Sequence, residues 1–202
     1  MGGRRGRGAH LTGSMETAWR VVERRRMGVW LGGPALLWHQ CEEWVWPGGF
    51  LPWLNRTVMG GGDEFPITRR TGFGINVGLG WGVCLASSLA GRRAPPLVTF
   101  NLGLMAGNAA FHLGQAAKQR RYNPGLATAT GLFSPFVTLA ALRLGRDPDV
   151  GARITVAGIA GGLLASVALF ARTRRRSNTG ATRACSQRDT PRESSDDAQP
   201  ER

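Results

Sequence analysis

From Met27 to Trp46 the chain reads MGVWLGGPALLWHQCEEWVW, a run of 20 residues. At about 1.5 Å of rise per residue such a run makes a helix of about 30 Å, the thickness of a bilayer's hydrocarbon core. It is apolar except at one place, His39-Gln40-Cys41-Glu42-Glu43. An ionisable side chain in mid-bilayer costs roughly 2.5 to 3.5 kcal/mol on insertion scales, so a spanning helix that carries three needs a use for them. His39, Glu42 and Glu43 stand at i, i+3 and i+4, on adjoining parts of one helical face. An apolar run of membrane length with an ionisable face predicts a membrane helix bundle whose chemistry lies inside it.

Further along, apolar blocks recur from Thr71 to Ala90, Pro96 to Ala117, Pro124 to Leu144 and Gly151 to Ala171. Short charged connectors separate them. The expected fold is all-α, a polytopic transmembrane helix bundle of about five spans occupying residues 27–171, in a multi-pass protein of the cell membrane. Residues 1–26 form a basic, Gly- and Arg-rich arm without apolar periodicity, expected to be disordered or bound to headgroups. Residues 172–202 form a polar tail, also expected to be disordered. Trp44, Trp46, Phe50 and Trp53 cluster after the first block, as in an interfacial aromatic belt. Asn123-Pro124 predicts a helix start, with Asn as cap and Pro in the first turn. Past Arg153 near its start, the fifth block carries only Thr155 and Ser166 as polar interruptions and is expected at the edge of the bundle.

The formal charge is +13, and Lys118 is the only lysine. No zinc-finger, helix-turn-helix or RNA-reading pattern accompanies this charge, so a nucleic-acid partner is not expected. The arginines sit beside apolar blocks, as in Arg24-Arg25-Arg26 and Arg174-Arg175-Arg176, and read as anchors to anionic lipid headgroups of the bilayer. Cys41, Cys84 and Cys185 lie too far apart for a disulfide framework or a structural zinc site. The chain also lacks a phosphate-binding G-x-x-x-x-G-K-[ST], a dinucleotide fingerprint and a G-x-S-x-G nucleophile.

The third block carries a second polar stripe, Asn101, Asn108, His112 and Gln115, which stays on one helical face. The first and third blocks run in the same direction if the second crosses fully. His39 to Glu43 then lie roughly 18 to 24 Å into their helix, and Asn108 and His112 about as far into theirs. Asn76 and Thr128, about 6 to 8 Å from the opposite entry, fall at the same level. One polar layer is therefore expected, with Asn76, Asn108 and Thr128 as binding or orienting groups.

Imidazole nitrogen and carboxylate oxygen at i and i+4 converge on one point, a way to hold a divalent metal such as zinc, iron or manganese. H-x-x-E-E also resembles the inverted zinc-peptidase pattern H-x-x-E-H, with Glu43 in place of the second histidine. On that analogy His39, Glu43 and His112 are ligands and Glu42 is the base that activates a bound water. Three classes of function stay open. One is a metal-dependent or acid/base enzyme acting on a lipid-soluble small molecule. The second is a non-catalytic binder or carrier of a proton, cation or small molecule, against which the lack of an internal repeat counts. The third is a structural membrane protein whose carboxylates pair with His39 or His112.

The order of these motifs is itself informative. His39-Gln40-Cys41-Glu42-Glu43, followed by Trp44, Pro47-Gly48-Gly49-Phe50, Trp53 and Asn55, is similar to the signature of the HXXEE domain family of bacterial membrane proteins. Asn108 and His112 resemble that family's N-x-x-x-H segment. Tyr122-Asn123-Pro124-Gly125-Leu126-Ala127-Thr128 resembles its Y-x-P-G-L-x-T segment, which brings in Tyr122 as a further orienting group. The resemblance covers roughly residues 27 to 145 and implies an integral membrane protein. It names no reaction, because the family has no established activity.

Overall fold

A computed structural model describes the backbone of residues 32–188 and the side chains of residues 32–175. The basic arm and the first five residues of the Met27–Trp46 block lie outside the described residues. Within them the chain is all-helical, with no β-strand. Helix α1 is Gly32–Trp44, and α2 is the single turn Phe50–Trp53, which runs on through a π turn at Leu54–Val58. Then come α3, Arg69–Arg93; α4, Pro95–Gln119; α5, Leu126–Arg146; and α6, Gly151–Arg188.

Among the described residues three helices are long and apolar enough to cross a membrane: Arg69–Arg93, Leu126–Arg146 and the Gly151–Arg175 part of α6. The expectation was about five such spans. Helix α4 has the length, 25 residues, but Asn101, Asn108 and His112 lower its apolarity. Only 13 residues of the first block are described as helix.

Two boundaries differ from the sequence reading. Asn123-Pro124 does not start α5; the helix begins at Leu126, after Gly125 at φ 99°. Asn123 is not its cap, because its side chain is engaged elsewhere. The break expected at Arg172 is also absent, and α6 continues to Arg188. Its helical hydrogen bonds are local, arginine and alanine are good helix formers, and no proline intervenes. Residues 189–202 lie outside the described residues.

The tightest packing in the bundle is between α4 and α6; the rest of α6 faces outward, with Val156, Leu164 and Val167 exposed, as expected of a block at the edge. Small residues repeat every four positions on both helices, Thr99, Gly103 and Gly107 on one and Gly158, Gly162 and Ser166 on the other. A Cβ on Gly162 would meet the Phe100 carbonyl oxygen and lie 2.7 Å from the Gly103 backbone. The two backbones touch there, the use of small residues that membrane helix pairs favour. Gly162→Ala is expected to force the helices apart and lower stability by about 1–3 kcal/mol, the usual cost of overpacking. Thermal unfolding in detergent micelles reads this, and an unchanged midpoint would count against backbone contact.

The helix ends fix which residues share a level. At one end Arg92, closing α3, pairs with Asp147 and Asp149 between α5 and α6. At the other end α2 covers the bundle. Leu51, Leu54 and Ile67 are buried there with Trp44, Phe111 and Phe170 packed around them. Asn55 is fully buried and closes the connector after α2, accepting from Ile67 N at 3.0 Å and donating to the Ile67 and Asp63 carbonyls. Under this cover the end of α1, the last third of α4 and the start of α5 meet.

Candidate metal centre

One turn of helix separates His39 from Glu43, so both side chains leave α1 toward α4, where His112 faces them. Glu43 Oε1 lies 3.3 Å from His39 Nε2 and 3.1 Å from His112 Nε2. The three ligand atoms fall within 4.8 Å of one another. Exposure is 1% for His39, 2% for Glu43 and 0% for His112, so the cluster is closed to bulk solvent. The imidazoles meet edge to face at 5.0 Å. Phe133 lies 4.4 Å from the His39 ring, and Phe50 and Phe111 each lie 5.5 Å from that of His112. Three polar groups thus share an aromatic box.

Both imidazoles have a fixed partner on the far side of the ring. His39 Nδ1 is 2.7 Å from Thr128 Oγ1, and His112 Nδ1 is 2.7 Å from Asn123 Oδ1. Asn123 also donates its amide to the His112 carbonyl oxygen at 3.0 Å. This is why Asn123 does not cap α5.

Glu42 points in a different direction from its neighbour. One of its oxygens accepts from Tyr122 Oη at 2.7 Å and Ala127 N at 3.0 Å; the other accepts from Thr128 N at 2.7 Å and from the Thr128 hydroxyl. These backbone amides belong to the first turn of α5, which leaves N–H groups without intrahelical partners and carries positive partial charge. The Glu42 carboxylate therefore caps α5 from another helix. Its four acceptor positions are filled by four donors. Desolvation of the Tyr122 hydroxyl, with the Glu42 carboxylate beside it, holds that phenol well above its usual range, so it keeps its proton and donates.

The remaining expected residues are placed around this centre. Asn76 accepts from Gln40 Nε2 at 3.4 Å and donates to the Gly72 carbonyl, so its bonds go to α1 and α3 and not to the cluster residues. Trp81 Nε1 donates to Gln40 Oε1 at 2.7 Å beside it. Asn108 stands one turn before His112, with its Oδ1 buried and without a hydrogen-bond partner. Gln115 bonds Gln119 within α4. The sequence reading gave no site role to Asn123, Gly125 or Phe133. Asn123 and Gly125 were visible within the Y-x-P-G-L-x-T segment, but the partner that makes them matter, His112, is on another helix.

A family described as "Protein of unknown function with HXXEE motif" matches residues 30–140, more than half of the chain. No curated protein and no solved structure matches.

Proposed function

The chain belongs to the HXXEE family, and on that premise we propose that it is a membrane enzyme that holds one divalent metal ion between His39, Glu43 and His112. In this reading α1 and α4 join the three apolar helices as spans of a multi-pass protein in the cell membrane. The observation that carries the proposal is the convergence of two imidazole nitrogens and one carboxylate oxygen within 4.8 Å, all buried. Two His and one carboxylate are a donor set used for zinc and for non-haem iron, with coordination positions left open. The buried His39 Nε2 meets Glu43 Oε1 at 3.3 Å without hydrogen-bond geometry, which fits a ligand atom better than it fits a satisfied core histidine. Manganese suits the carboxylate but is less favoured by two imidazoles.

A metal held this way supplies Lewis acidity toward a bound oxygen. The chain's own residues do the rest. Phe50, Phe111 and Phe133 exclude water and favour an uncharged, lipid-soluble substrate. Asn108 Oδ1, buried and unpartnered, is available to orient a hydrogen-bond donor one turn from His112. Glu42 was expected from its sequence position to be the water-activating base. With its acceptor positions filled, it is assigned instead to positioning, holding the start of α5 against α1.

Elemental analysis of the untagged protein, purified in detergent, tests the proposal. Zinc, iron or manganese is expected near one equivalent per chain, to be lost on dialysis against chelator and restored by that metal. Absence of any retained or restored metal, with His39→Ala and His112→Ala behaving like the wild type, would overturn it.

A further inference from the structure

Whether three such groups form a metal site or a proton-sharing knot depends on where the imidazole protons sit. The hydrogen bonds on the far side of each ring decide this. The Thr128 hydroxyl has one proton. It is directed at a Glu42 oxygen, and among the described residues the other acceptor contact besides the His39 ring is the Gly125 carbonyl at 3.3 Å. Either way the proton is used, so in the 2.7 Å contact Thr128 Oγ1 accepts and His39 Nδ1 donates. The reverse arrangement would set the hydroxyl lone pairs against the Glu42 carboxylate at short range.

Asn123 gives the same result at the other ring. Its amide nitrogen donates to the His112 carbonyl at 3.0 Å, which fixes the amide's orientation. A flipped amide would put oxygen against oxygen at that distance. Asn123 Oδ1 therefore faces His112 Nδ1, and Nδ1 carries the proton. A neutral imidazole has one N–H, so a ring with its proton on Nδ1 offers Nε2 as the lone pair a metal needs. Glu43 Oε1 is the third acceptor. Three electron-pair donors this close are held together by a cation placed among them.

We propose that Thr128 and Asn123 are the positioning residues of this site, holding His39 and His112 in the Nδ1–H tautomer so that both Nε2 lone pairs meet Glu43 Oε1. This rests on the metal-centre reading and adds to it the groups that set the ligands' polarity. Both lie on the segment from Tyr122 to Thr128 that Glu42 clamps, so one short stretch of chain orients both histidines. Partners of this kind set ring orientation and ligand basicity, and losing one typically costs about 10- to 100-fold in metal affinity.

The test has two readouts. Nitrogen-15 spectra of the protein with labelled histidine are expected to show Nδ1 protonated at both His39 and His112. A bare Nδ1 at either ring would overturn the assignment. Zinc affinity, measured by competition with a chromophoric chelator, is expected to fall about 10- to 100-fold in Thr128→Val and to recover in Thr128→Ser. If the wild type binds zinc and Thr128→Val binds it equally well, the positioning role fails while the metal centre stands. If the wild type binds no zinc, iron or manganese yet shows Nδ1 protonated at both rings, the metal centre fails while the tautomer assignment holds. The wild-type spectrum decides even if Thr128→Val does not fold.

Discussion

Glu43→Gln is expected to empty the site of metal while leaving the metal-free protein at least as stable as the wild type. The carboxylate is the only negative charge in the ligand set, between two histidines exposed by 1% and 0%. Without it a dication would sit in an apolar box with neutral ligands alone. Removing one partner of a buried charge costs about 3–5 kcal/mol, which at about 1.4 kcal/mol per tenfold is a loss of affinity from about a hundredfold to several thousandfold. Stability moves the other way. In the metal-free protein Glu43 Oε1 faces His112 Nε2 at 3.1 Å and His39 Nε2 at 3.3 Å, both bare if the tautomers are as assigned. An amide nitrogen of the same shape donates to one of those lone pairs and relieves the repulsion. A structural ion pair predicts the opposite, because an imidazolium at His39 or His112 would lose its buried counter-charge. Zinc competition and thermal unfolding in chelator, on the same preparation, separate the two. A variant that melts well below the wild type and had no zinc site to lose would favour the ion pair.

What the sequence made legible was whatever depends on distance along one helix. The i, i+4 spacing put His39 and Glu43 together, and rise per residue put His112 at their level, as the 3.1 Å contact to Glu43 bears out. Rotation between neighbours was harder to use. Glu42 and Glu43 are adjacent, yet about 100° of helical turn sends one toward α5 and the other toward α4. Nothing local shows that the partners of Glu42 would be Ala127 and Thr128, 85 and 86 positions away. Asn123 was misread for a related reason. Asn-Pro is a true local signal for a helix start, but the His112 ring and carbonyl compete for that side chain and take it. The α4–α6 contact shows the same limit. Glycines at 158 and 162 lack side chains to mark a face, and only the facing Thr99 and Gly103 show that their absence is a close backbone approach.

Gly125→Ala is expected to be the most damaging single methyl in the Tyr122–Thr128 segment. Two costs add at this residue. Its φ of 99° is a backbone conformation that L residues rarely adopt, worth of order 1–3 kcal/mol of strain. The added Cβ would also press on the His112 ring, 2.9 Å from Nδ1 and from Nε2 and closer still to the carbon between them. Overpacking of that kind adds roughly 1–3 kcal/mol, and this ring has little room to retreat. Phe50 and Phe111 are packed against it, and Asn123 holds its Nδ1. The chain has two ways to respond, and both harm the site. If the ring moves, His112 Nε2 leaves Glu43. If the segment moves, Ala127 N and Thr128 N leave Glu42, and Asn123 leaves His112. The expected result is a loss of about 2–6 kcal/mol of stability together with weakened zinc binding. Unfolding in detergent and chelator competition measure the two effects. A Gly125→Ala protein with wild-type stability and wild-type affinity would show that the start of α5 does not rest on the His112 ring. Loss of stability with affinity intact would place the strain in the turn alone.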